Sequence, residues 1–138
     1  MHLATHGIVD EQAPLFSALL TSPAEGQPSR VSLFELTSRR IRARLVVLSA
    51  CETGLGKLFA GDEVAGLTRA LLEAGAETVV ASLWKVSDES TATLMAEFHR
   101  RRQAGTNSAQ ALREAALSVR RTFAHPFYWA PFVLTGSR

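Results

Sequence analysis

The chain has 138 residues, with lysine and arginine exceeding aspartate and glutamate by 15 to 13 for a formal net charge of +2. That length and an apolar share of 46% suit one core and leave little room for a second, and no glycine–aromatic pattern accompanies the arginines to suggest a nucleic-acid module. No apolar run approaches the roughly 20 residues that span a bilayer, no basic leader precedes the first apolar segment, and a single cysteine cannot close an intrachain disulfide, so a soluble, cytoplasmic protein is expected.

Leu3-Ala4-Thr5 is a short apolar segment ending in His6-Gly7. The stretch from there to residue 44 is irregular, broken by Pro14, Pro23, Gly26 and Pro28. Within it, Phe16 to Leu20 suits a short strand, and Ser32 with Glu35 forms the Ser-x-x-Glu signature of a short helix through Leu36. Leu45 to Ser49 and Glu77 to Trp84 are nearly continuous apolar runs, the pattern of central parallel strands covered on both faces. Between them Val64, Leu67, Leu71 and Leu72 recur at helical spacing from a start near Asp62, and Gly75 offers a left-handed stop.

Beyond Trp84, Ser87 or Asp88 is placed to cap a helix whose apolar positions Thr91, Leu94, Met95 and Phe98 share a face. Asn107 with Gln110 fits a second capping box, and Leu112, Ala116 and Val119 carry that helix to about Arg121. Trp129 to Thr135 reads as a last strand, confined by Pro131 to an edge or an irregular entry. The arginine clusters at 39–44, 100–102 and 120–121 fall near helix ends and turns and read as solvated cations. The element order predicts a three-layer α/β domain, a class that binds ligands beyond the carboxyl ends of its strands.

His6 and Cys51 both fall at such ends. A cysteine attacks as thiolate and needs a neighbouring base or cation, for which His6 is the best candidate, while the unobstructed N–H of Gly7 is suited to stabilise an oxyanion beside that of Cys51. Glu52, Thr53, Gly54 and Gly56 would form the turn that leaves the sulfur exposed. From these residues alone the bland reading also stands, since a free cysteine is among the most buried residue types. One thiol with scattered histidines lacks zinc-ligand spacing, and Gly54 and Gly56 are not followed by the Gly-Lys-Ser/Thr of a phosphate loop, so neither a metal site nor a phosphate loop is expected.

Four ordered blocks resemble the CHAT-domain family of caspase-like cysteine peptidases, relatives of caspases and separases. They are His2-Leu3-Ala4-Thr5-His6-Gly7, Leu45 through Gly54, Gly66 through Asp88, and His125 through Gly136. The resemblance spans the whole chain and implies one partial CHAT-type domain over residues 1–138, a caspase-like sandwich with a mostly parallel sheet, lacking its amino-terminal strands. It implies Cys51 as nucleophile, His6 rather than His2 as partner, Gly7 in the oxyanion hole, and Ser82, Trp84 and Asp88 in the pocket for the residue before the cut bond. Asp88 there would favour arginine or lysine.

The implied activity is that of an endopeptidase working on a protein substrate without a cofactor, regulated by a helical-repeat (TPR-like) module or by a homo-oligomer covering the missing half. An exposed apolar surface is expected where that half would sit. The alternatives are an inactive CHAT-type interaction module and a small-molecule thiol hydrolase, which would need a closed apolar pocket.

Overall fold

The structure, a computed structural model, describes residues 1–8, 16–22, 30–52, 61–84 and 86–137, and at 6, 7, 50–52 and 61–64 it describes the backbone alone. In chain order the elements are β1 (His2–Ile8), β2 (Ala18–Leu20), β3 (Arg30–Ser32), α1 (Leu33–Ser38), β4 (Val46–Glu52), α2 (Gly61–Glu73), β5 (Thr78–Ser82), α3 (Asp88–Gln103), α4 (Ser108–Val119), α5 (Pro126–Trp129) and β6 (Phe132–Gly136). One sheet takes the strands in the order β3-β2-β1-β4-β5-β6. The pairs β1–β4 and β4–β5 are parallel and the other three antiparallel, so β1, β3, β4 and β5 run one way and β2 and β6 the other.

The two apolar runs form β4 and β5, joined through α2 as expected. Strand alternation divides their side chains between two cores. Val47 and Val80 pack on one face with Leu94, Met95 and Phe98 of α3 and with α4. Val46, Leu48, Val79 and Ala81 pack on the other with α1 and α2, through Leu33, Leu36 and Leu71. Helices on both faces make the three layers, and every residue of β5 is buried.

Gly75 ends the α2 turn at φ 106°, where a Cβ would stand 2.8 Å from the Ile41 carbonyl oxygen. The residue is therefore glycine for both conformation and space.

The short helix α1 begins as its signature predicts. Ser32 Oγ accepts from the Glu35 N–H, and the Glu35 carboxylate accepts from the Ser32 N–H. At α4 only half of the predicted box forms: Asn107 accepts from the Gln110 N–H, while the Gln110 side chain donates to Glu114.

One alternative is resolved and one expectation is corrected. Asp88 is the first residue of α3, with Ser87 in the N-cap position and making no side-chain cap bond. Trp129 belongs to α5 rather than to the last strand, because His125 caps a turn that starts at Pro126, a residue preset for the first helical position. The strand begins at Phe132 and does form an edge. Trp129 instead donates its indole N–H to the Ala124 carbonyl and lies under the Arg120 guanidinium.

The β1–β2–β3 side of the sheet is thinner. Among described side chains neither β1 nor β3 has a buried residue, and Ile8, Phe16 and Phe34 are exposed. Apolar surface is thus open on that side. Among the described residues no helix is long and apolar enough to cross a membrane.

Candidate active site

The parallel register of β1 and β4 places Ala4 opposite Ser49, Thr5 opposite Ala50, His6 opposite Cys51 and Gly7 opposite Glu52. Neighbouring strands lie about 4.8 Å apart, so positions 6 and 51 are directly adjacent across the ladder near the carboxyl ends of both strands. His2 is opposite Val47, a full four residues back along β1. The side chains of His6, Gly7 and Cys51, and the predicted turn at Thr53, Gly54 and Gly56, lie outside what is described.

Two residues back along both strands from this pair, a cleft of about 430 Å³ opens between β1, β4 and the start of α3, lined by His2, Ala4, Ser49, Asp88, Thr91 and Met95 among others. Ser49 Oγ and Thr91 Oγ1 are both buried there without a hydrogen-bond partner among the described residues. A buried hydroxyl without a partner costs about 1–3 kcal/mol, so this cleft favours a guest or water that offers polar groups.

Of the three residues expected in a substrate pocket, Asp88 alone lines this cleft. Ser82 is buried in β5 opposite Phe132. The Trp84 indole N–H donates to the Phe127 carbonyl of α5 at 3.1 Å, turning the ring toward that helix. Ser49 and Thr91 were missed by sequence reasoning, although Ser49 stands two residues before Cys51 on β4 and Thr91 one helical turn after Asp88. A strand's period of two and a helix turn of three to four residues would have found both.

His2 also lines this cleft, and it pairs with a second histidine. Its Nδ1 lies 3.3 Å from Nε2 of His99 on α3. Burial, then the neighbouring His99 and the terminal amine, push His2 below the usual histidine range; burial, then Arg102 and that amine, do the same to His99. Among the described residues no group of three or more histidine, cysteine, aspartate or glutamate side chains could hold a metal ion.

A model of the CHAT domain matches residues 1–137. The chain belongs to the CHAT-domain family. Its α/β layers, with helices on both faces of a sheet whose strands mostly run one way, are consistent with a caspase-like fold for this CHAT domain. Similar proteins include tetratricopeptide repeat protein 28 of Mus musculus, 35% identical over 105 residues, and that of Homo sapiens, 37% identical over 100 residues. These stretches cover 75% and 71% of this chain and only 4% of each relative, so the CHAT domain corresponds to a small part of those long repeat proteins.

Proposed function

We propose that the CHAT domain is a cysteine endopeptidase working through a Cys51–His6 dyad. The observation that carries this reading is the ladder register, which sets positions 6 and 51 side by side on parallel strands. In the proposed cycle the Cys51 thiolate attacks the scissile carbonyl, and the backbone N–H groups of Cys51 and Gly7 stabilise the oxyanion. His6 then protonates the departing amine, leaving an acyl-enzyme. Water, deprotonated by His6, releases the second product.

The cleft behind the dyad fits the side chain preceding the cut bond. Asp88 at its mouth supports a preference for arginine or lysine, and the Ser49 and Thr91 hydroxyls supply partners for polar atoms deeper in. Ser82 and Trp84 support the pocket only indirectly, through β5 and α5. In this reading residues 1–138 act as one CHAT-type domain in the cytoplasm, on a protein substrate, under a TPR-like module or a second copy; the repeat names of the relatives favour the module.

A peptide-based thiol electrophile tests the dyad. Wild type should be labelled, Cys51→Ala not at all, and His6→Ala at least about a hundredfold more slowly near neutral pH, the usual scale of a lost general base. Labelling that ignores His6 would defeat the pairing and favour the inactive interaction module, which the repeat-protein names of the relatives also suit. For the pocket, Asp88→Asn should erase the preference for basic over uncharged side chains at the cleavage position, by about ten- to a hundredfold in kcat/KM. An unchanged preference removes Asp88 from the pocket.

A further inference from the structure

At the amino ends of β1 and β4, the end of the sheet opposite positions 6 and 51, a second cleft of about 800 Å³ is lined by His2, His99, Arg42, Arg44 and Arg102. No carboxylate is among its lining residues. The run Arg100-Arg101-Arg102 shows how selective this is. Arg100 bonds to Glu97, and Arg101 to Glu97 and Glu114. Arg102, on the other side of α3, has no ion pair among the described residues. Its Nη1 donates to Ser108 Oγ at 3.0 Å, and its Nε is buried without a partner among the described residues. Arg42 and Arg44, exposed on the segment before β4, likewise have no carboxylate partner among the described residues.

Three guanidinium groups gathered around one concavity repel one another unless an anion is present. Guanidinium forks match phosphate oxygens two at a time, and the volume lies in the range of small-molecule sites, far above what one phosphate fills. Ile41 and Leu45 add an apolar wall. We propose that this cleft binds a small molecule carrying two or more clustered phosphates, held by Arg42, Arg44 and Arg102, with His2 and His99 in its lining. The site does not depend on the cysteine chemistry, since its arginines lie at the other end of the sheet; His2 is the residue that lines both this cleft and the one beside positions 6 and 51.

The histidines give the site a signature. Both are held below the usual histidine range, His2 by partial burial, His99 and the amine of Met1, and His99 by partial burial, Arg102 and that amine; Arg42 and Arg44 from the segment before β4 line the same cleft. A bound polyanion opposes that field and raises both, so protons are taken up on binding and affinity rises as pH falls through the histidine range.

Calorimetric titration of the chain with ATP, inorganic triphosphate and orthophosphate, without added metal, tests the proposal. The expected result is one site for ATP and triphosphate, with orthophosphate at least about tenfold weaker, and proton uptake near pH 6.5 that shrinks in His99→Gln. Tighter binding of ATP than triphosphate would assign the apolar wall to a nucleoside; equal binding would assign the site to the phosphates alone. Arg102→Gln and the double variant Arg42→Gln/Arg44→Gln should each weaken binding about tenfold or more, while Arg69→Gln, an exposed charge on α2, changes it less than twofold. The double variant lies on an exposed segment and keeps the test valid if Arg102→Gln unfolds. Equal affinity for orthophosphate, equal loss with Arg69→Gln, absence of proton uptake, or displacement by single-stranded RNA at several sites per chain would overturn it.

Discussion

The two halves of the sheet are built differently. Around β4 and β5 the strands are covered on both faces, and Val46, Val47, Val79 and Val80 have no exposed surface. Across the ladder, β1 and β3 carry no buried residue among their described side chains, and His2 and Ala4 of β1 are exposed. The ladder positions 6 and 51 lie on the seam between these halves. One strand of the proposed dyad is therefore anchored by two cores, while the other relies on its ladder bonds and on Leu3, partly buried against one of those cores.

The contrast is broken or confirmed most sharply by two phenylalanines. Phe98 of α3 is fully buried in the core against β4 and β5, so Phe98→Ala should cost about 3–5 kcal/mol, the range for deleting a ring from a packed interior. Phe34 of α1 is 59% exposed, and Phe34→Ala should cost less than about 0.5 kcal/mol. Denaturant titrations of the two variants measure the difference directly. Similar losses would mean that the open side contributes a core of its own.

Where burial is thin, caps should matter more. Ser32 closes β3 onto α1 through a reciprocal box, and its N–H and hydroxyl hold the Glu35 carboxyl below its usual range. Ser32→Ala should lower stability by about 1 kcal/mol and return Glu35 toward an ordinary carboxylate value. The first is read from the denaturation midpoint and the second from a carbon-detected NMR titration. A loss confined to a few tenths would show that α1 is held by Leu33 and Leu36 alone.

Legibility in the sequence followed the same division. Strands buried on both faces write themselves as unbroken apolar runs, so β4 and β5 were readable, as were α2 and α3 from their periodicity and α1 from its cap. β3 escaped, because Arg30-Val31-Ser32 carries one apolar residue and is paired only through β2. α5 escaped because four residues around a proline show no period, and its indole contacts join positions 43 and 5 residues apart. The placement of His6 and Cys51 at strand ends was legible from their motifs. The cleft beside them was not, since it is formed by β1, β4 and the first turn of α3 meeting in space.

A smaller test concerns charge on the enclosed side. Glu97 accepts hydrogen bonds from Arg100 at 2.7 and 2.8 Å and an ion pair from Arg101 at 2.6 Å, and these push its carboxyl down to about 2. Because the folded value lies below the unfolded one of 4.5, the stabilisation is fully present above about pH 5 and is lost as pH falls toward 2. Arg100 is 64% exposed, so water and salt screen much of the interaction and its contribution should stay below about 1 kcal/mol. Glu97→Gln should therefore destabilise slightly at pH 7 and become indistinguishable from wild type near pH 2, with 1 M salt shrinking the gap at pH 7. Arg101, only 27% exposed and shared between Glu97 and Glu114, ties α3 to α4. If the gap persists at high salt, the bridge through Arg101 rather than the outer contact with Arg100 is the part that stabilises the helix pair.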